Sequence, residues 1–407
     1  MQVSEATVPA VNGLTARWAD RAGDSDRGTV FSAAGVWPLL AFLADGAGGA
    51  ARTELAGAVG LPADQAAVHA RELLGALDGL RGAESALGLW TKRTLALRER
   101  WAAGLPAGTH GVLSGDPAAD REALDTWAHQ RTGGLIDAMP VPVTEETQLV
   151  LAGALTVRTE WLRRFHEGLL EPGTGPWRGR SLRGLYRSST LLDRVGVADT
   201  PEGHVTELRV LGNTAVDVHL LLGEEHMTPD QVLRAGIGVL GRRHSVVPGP
   251  RLPFGDAGPG LRVRRVRSTR PEPPTLHVRT VAYDLSAHHD LLALHRLFGL
   301  TTARDDSFGH FPGISDFPLA VGSAAQAAVA TFGPLGFRAG AVSAFGAVAG
   351  CAIPEPRYLT TSVDTSFDRP FGFLALHRHT RLVLAAGWVT DPEPYPEDPW
   401  EDDTHDG

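Results

Sequence analysis

Cysteine is almost absent from this chain. Its 407 residues include one, Cys351, which excludes an internal disulfide framework and a zinc site built on cysteines. Lysine is as rare: Lys92 is the only one, and arginine supplies the rest of the basic charge. Together with the high alanine and glycine content, that bias points to a GC-rich bacterial genome. No apolar run approaches the ~20 residues of a membrane-spanning helix. The segment MQVSEATVPAVNGLTARWADRAG has no apolar core flanked by basic residues, so no signal peptide is expected and a cytoplasmic protein is. P-loop, GxSxG and HExxH motifs are missing too. After Arg381 there is no basic residue, whereas DPEPYPEDPWEDDTHDG carries eight carboxylates. That tail accounts for most of the net charge of −9 and reads as solvated and disordered. The remaining body is nearly neutral, so bulk charge gives no reason to expect nucleic acid as a partner.

What is present is a globular composition, 43% hydrophobic and 21% charged, long enough to bury a large core. The first third reads helical. VNGLTARWADRA has apolar residues at helical spacing, and DGAGG splits two further helical stretches between Val30 and Leu61. DREALDTWAHQRTGG is an amphipathic helix stopped by Gly133 and Gly134. Strand patterns dominate afterwards, in TQLVLAGALTVRTEW, VTELRVLGNTAVDVHLLLG, LHVRTVAYDLS and RLVLAAGWVTD. HHDLLALHRLFGL reads as a return to helix, and 248–274 as an irregular insertion rich in glycine, proline and arginine. Helices early and sheets later make an α+β protein.

Several blocks resemble the serpin family. FSAAGVWPLLAFLADGAGGAARTELAGAVGL is similar to its early helical block. ALTVRTEWLRRF resembles its central strand running into a Trp and a Phe, and LHRLFGLTTARDDSFGHFPGIS its block ending in Gly-Ile-Ser. SFDRPFGFLALHRHTRLVLAAGWVTDP is similar to its C-terminal signature. The blocks fall in family order across residues 31–392. The resemblance implies one domain over 1–392, with a large central sheet, two smaller sheets and about nine helices, followed by the acidic tail 393–407. It also implies that 336–366 contains an exposed reactive-centre loop. In inhibitory serpins a protease cleaves this loop, which then enters the main sheet as a new strand and traps the acyl-enzyme.

The resemblance puts the hinge glycine at Gly336. Period-two alternation then turns Phe337, Ala339, Ala341, Ser343, Phe345 and Ala347 inward, and Arg338 and its alternates outward. The small residues suit insertion. Phe337 stands where the family prefers Thr or Ser, an overpacking worth roughly 1–3 kcal/mol, and Pro334 stands in place of a glutamate. Of the polar cluster beneath the opening sheet, Ser32 is retained, while Gly35, Gly153 and Gln326 replace a Ser, an Asn and a His. Two candidate scissile bonds follow from spacing, Gly350-Cys351 and Arg357-Tyr358. These departures imply a non-inhibitory or weakly inhibitory homologue acting by binding. The alternatives are a suicide-substrate inhibitor of an intracellular serine or cysteine protease, and a serpin scaffold recruited as an enzyme in a bacterial small-molecule pathway. The expected partner is a protease or other protein met through the loop, or a small-molecule ligand. The protein is expected to be a monomer without cofactor or metal, away from nucleic acid and membrane.

Other motifs have plainer readings. GIGVLG follows a helical pattern rather than a strand, which argues against a dinucleotide site. His288 and His295 share a face if their segment is helical, but no further metal ligand is placed by spacing. His377 and His379 read as an exposed hairpin. Arg262, Arg264, Arg265 and Arg267 form either a charged strand edge or an anion site.

Overall fold

A computed structural model of the chain describes residues 3–21, 28–134, 138–139, 142–337 and 357–396. Among these lie eight α-helices: α1 (Thr7–Trp18), α2 (Ala33–Gly46), α3 (Gly49–Val59), α4 (Ala63–Asp78), α5 (Glu99–Ala102), α6 (Pro117–Thr132), α7 (Pro229–Leu240) and α8 (His295–Phe298). The strands are β1 (Thr29–Phe31), β2 (Ala83–Lys92), β3 (His110–Leu113), β4 (Leu149–Val157), β5 (Thr159–Glu160), β6 (His166–Leu170), β7 (Leu182–Ser189), β8 (Val195–Thr200), β9 (Gly203–Leu211) and β10 (Val216–Gly223). They continue as β11 (Ser245–Pro248), β12 (Gly255–Gly258), β13 (Leu261–Ser268), β14 (Thr275–Val281), β15 (Tyr283–Asp290), β16 (Ser323–Phe332), β17 (Gly336–Phe337), β18 (Tyr358–Ser366), β19 (Phe371–His377) and β20 (Val383–Val389).

Three sheets form. The first runs β1-β20-β19-β10-β9-β8-β11, and the second β12-β13-β18-β14-β7-β6. The third runs β3-β2-β4-β16-β17-β5, with β15 paired to β16. Helix α2 begins where the Ser32 side chain accepts the Gly35 N–H. It is apolar nearly all round because it is walled in, by β2 and β4 on one side and β20 on another. On the opposite face of β2 and β4 lies α6, capped by Asp116 and ended by Gly133 in the left-handed region. β4 and β16 therefore bury both faces. Leu151, Leu155, Ala324 and Ala328 join the main core, while Val150, Ala152, Ala325 and Ala327 join a smaller one under α6. That two-sided burial suits the small, largely apolar run of β16, five of whose ten residues are alanine.

Some expectations need correction. HHDLLALHRLFGL is not a helix: His288, His289 and Asp290 end strand β15, and only His295–Phe298 are helical. Period two prevails because alternate β15 residues turn inward, His289 meeting Val30 O at 2.9 Å and the Trp18 ring at 5.2 Å. His288 and His295 consequently share no helix face. The 248–274 region contains the paired strands β12 and β13 rather than an irregular insertion. GIGVLG lies in and just after α7, with Gly236 against Leu221 and Gly238 against His244. Residues 393–396, assigned to the tail, are bonded to the body. Arg183 donates to Glu393 Oε2 at 2.8 Å, and the Tyr395 N–H to Ser181 O at 3.0 Å. Residues 397–407 lie outside the described residues. No helix among the described residues is long and apolar enough to cross a membrane.

Candidate functional site at the hinge of the third sheet

The hinge is a strand in its own right. After β16 ends at Phe332, the chain reverses through 333–335, where the Gly333 N–H bonds to Gly336 O at 3.0 Å. Gly336 and Phe337 then run antiparallel to both neighbours. Phe337 pairs with Phe332 of β16 and Thr159 of β5, and Gly336 pairs with Glu160. The backbones approach so closely that a β-carbon on Gly336 would collide with Thr159 O. Phe337 is only 2% exposed, and its ring lies 6.1 Å from that of Phe373. Pro334 fits the turn because its missing N–H is not needed there, while its carbonyl accepts the Phe165 N–H at 2.9 Å. Trp161 holds the same turn twice. Its N–H donates to Leu335 O at 2.9 Å and its indole Nε1 to Gly333 O at 2.8 Å. Trp161 and Phe165 were visible in sequence only as part of a resembling block. Their hold on the turn has no local signature, because it spans more than 160 residues.

The four cluster residues converge at a fork in this sheet. β4 and β16 pair in parallel over 150–153 and 323–326, the last pair being Gly153 with Gln326. Beyond it they part. Six residues separate 153 from 159 and 326 from 332, so Phe337 sits in one register with that ladder. Between the two points, 154–158 and 327–331 make no pairing with each other. Gln326 clasps the start of α2: the Ser32 N–H donates to its Oε1, and its Nε2 donates to Ser32 O, both at 2.8 Å. The Ser32 hydroxyl donates to Leu384 O at 2.6 Å. On the β4 side there is only backbone, since a β-carbon on Gly153 would lie 2.5 Å from Gly35 O. The Gln326 amide therefore ties β16 to α2, and among the described residues no side-chain hydrogen bond ties β16 to β4 at the fork.

Arg338, Ala339, Ala341, Ser343, Gly350 and Cys351 lie outside the described residues. The chain is described again from Arg357. Tyr358 is the first residue of β18, paired with Ser268 of β13. The Arg357-Tyr358 bond thus stands at the foot of a strand.

The arginine stripe lies on β13. β12 covers this strand only as far as Val263, so Arg264 onward has an open side and the stripe behaves as an edge. Arg262 faces Asp256 at 3.4 Å and Arg264 faces Asp364 at 3.0 Å. Arg265 lies over the Phe254 ring at 4.8 Å, and Arg267 is exposed. With two of the four neutralised, the stripe gathers little net charge. His377 is buried rather than exposed, its Nδ1 2.9 Å from the Thr380 hydroxyl.

One charged group was not singled out in sequence. In the first sheet Glu207 and His219 are buried 2.8 Å apart, and Arg209 completes the group at 2.9 Å from Glu207. Burial alone would raise the Glu207 carboxyl. The charges and hydrogen bonds of His219 and Arg209 outweigh it and bring the pKa to about 2. Asp217 is held beside it by Arg378 at 2.6 Å.

Comparison with known proteins bears on the fold. The family model for serpins (serine protease inhibitors) matches residues 12–174. A putative serpin-Z6C from Oryza sativa subsp. japonica is 26% identical over 93% of this chain and 94% of its own length. A putative serpin-Z6A from the same plant is 35% identical, over 34% of this chain and 38% of its own. These are rice proteins, so the bacterial origin expected from composition gains no support from them. Among solved structures, Serpin48 of the insect Tenebrio molitor superimposes with a TM-score of 0.71 at 15% identity, covering 96% of this chain and 100% of that one. The chain has the serpin fold, and its residues 12–174 match the model of that family.

Proposed function

We propose that this protein presents residues 338–356 as a binding loop and is a weak trap for proteases, because entry of the loop into the third sheet stalls part-way. The observation that carries this reading is the register of β17. Continuing antiparallel from Phe337, residue 338 falls opposite 331 and 158, and residue 343 opposite 326 and 153. Residues 338–342 thus match the stretch over which β4 and β16 do not pair. Phe337, which looked like the obstacle, is already housed in the core, so its bulk adds nothing to later steps. Ala339, Ala341 and Ser343 are small.

Two costs then coincide. At 343 the entering strand meets the Gly153–Gln326 pair and must part the parallel ladder. Two residues on, Phe345 falls opposite Ala324 and Leu151, both fully packed in the main core. A large ring entering a packed site costs roughly 1–3 kcal/mol, and trapping is a race in which each ~1.4 kcal/mol loses a factor of about 10. A protease that cleaves the loop mostly completes its reaction and leaves.

A second reading, a working suicide-substrate inhibitor, is favoured by the bare glycine contact at the fork, where among the described residues no side-chain bond between β4 and β16 resists opening. In either case the preferred scissile bond lies before Arg357, since Tyr358 is committed to β18. On this reading the protein works as a cytoplasmic monomer without a cofactor, which gel filtration and cell fractionation test. The deciding experiment mixes the protein with trypsin-, subtilisin- and elastase-like proteases. Loop cleavage with little SDS-stable complex supports weak trapping. A complex in near-stoichiometric yield would favour the second reading.

A further inference from the structure

A small cavity beside the hinge is built almost entirely from cations and hydrocarbon. Its volume is about 170 Å³, and Arg163, Arg187, Arg194 and Arg209 line it over a floor of Leu276 and Val278. No carboxylate is among its lining residues. Two of the arginines have acidic partners outside the cavity: Arg209 pairs with Glu207 at 2.9 Å, and Arg194 with Asp193 at 3.6 Å. The other two have no ion pair among the described residues. Arg187 donates to Arg163 O at 3.0 Å and lies 4.4 Å over the Phe165 ring. Among the described residues the Arg163 guanidinium donates only to the Ser189 hydroxyl, at 3.5 Å. Burial, then the neighbouring charges of Arg163 and Arg194, lower the Arg187 pKa to about 10. Like charges held together and partly desolvated favour an anion between them. The rim is apolar in a way that solvent alone does not explain, with Leu162 59% and Leu191 41% exposed at the mouth.

We propose that this cavity binds a small organic anion with an apolar body, of the aromatic monocarboxylate class, its carboxylate between Arg163 and Arg187 and its ring between the rim leucines. The size is suitable, since a cavity of about 150 Å³ accepts benzene. The four arginines come from different parts of the fold, two of them from neighbouring sheets, β7 and β9. Bound ligand would therefore tie together elements that meet beside the hinge. Leu162 and Arg163 lie between Trp161 and Phe165, whose backbone N–H groups hold Leu335 O and Pro334 O. Occupancy stiffens that backbone whether or not the loop can enter the sheet.

The test titrates the full-length protein with benzoate by calorimetry, with inorganic phosphate and benzyl alcohol as charge-only and ring-only probes. Benzoate is expected to bind clearly more tightly than either and to slow amide exchange at Phe165. Arg187→Gln and Arg163→Gln should each weaken benzoate about tenfold or more, through loss of a charge-assisted bond, with circular dichroism unchanged. If Arg187→Gln does not fold, Arg163→Gln alone carries the test. Absence of benzoate binding, equal binding of phosphate or benzyl alcohol, or full affinity in a folded Arg163→Gln variant would overturn the proposal.

Discussion

Replacing Phe345 by alanine should turn a poor trap into a better one. In the register of β17, Phe345 meets Ala324 and Leu151, which are 2% and 0% exposed. No neighbour there is loose enough to make way for a ring without moving α2 or the strands themselves. Housing it costs roughly 1–3 kcal/mol, equivalent to about 5- to 150-fold in the rate of the step at which it enters. The acyl-enzyme partitions between insertion and hydrolysis, so the variant should raise the fraction of protease captured by a similar factor until capture saturates. The assay is the ratio of SDS-stable complex to cleaved protein after mixing with a protease that cuts between 346 and 356. Phe345→Ala carries no change in any described contact, so native stability should stay the same. An unchanged ratio, with cleavage still occurring in that interval, would refute the stalling argument.

Further outcomes follow from the same packing. Phe337→Ala should cost about 3 kcal/mol or more of native stability, as for other buried Phe truncations, and should speed proteolysis around 336–340 by freeing the hinge; urea unfolding and limited proteolysis read both. Gln326→Leu strips the buried Ser32 N–H of its partner and leaves the Ser32 carbonyl with the Gly35 N–H at 3.3 Å. At about 1–3 kcal/mol for the unsatisfied donor, it should lower the unfolding midpoint beyond a surface change. Glu207 should shape the acid limb of stability. Its folded-state pKa is depressed from 4.5 to about 2, so its contribution is complete above about pH 4.5 and is lost as pH falls towards 2. The amount is on the order of 3 kcal/mol. Glu207→Gln should therefore flatten stability over that pH window.

The order of helices and strands was legible because punctuation and periodicity are local. DGAGG separates α2 from α3, Gly133 ends α6, and the long strands carry their own apolar runs. His288 and His289 misled because a leucine-rich stretch with histidines satisfies a helical period nearly as well as a strand period. The sheet edge offered by β16 decided between them. The fork residues were found through resemblance alone, since Ser32 and Gln326 stand 294 positions apart. Resemblance also misjudged Phe337: a bulky residue at a hinge reads as an obstacle until Phe332, Thr159 and Phe373 are seen to house it. The Arg163–Arg187 cavity left no trace in sequence, because its arginines are scattered singly among unrelated segments.

The most direct measurement of the stalled-insertion account is a crystal structure of the protein cleaved within 346–356. The account predicts that β4 and β16 remain hydrogen-bonded over 150–153 and 323–326, at the usual strand spacing of about 4.8 Å, with any added strand ending before Phe345. A continuous new strand between them, parting β4 from β16 to about 10 Å along their whole length with Phe345 buried inside, would contradict it.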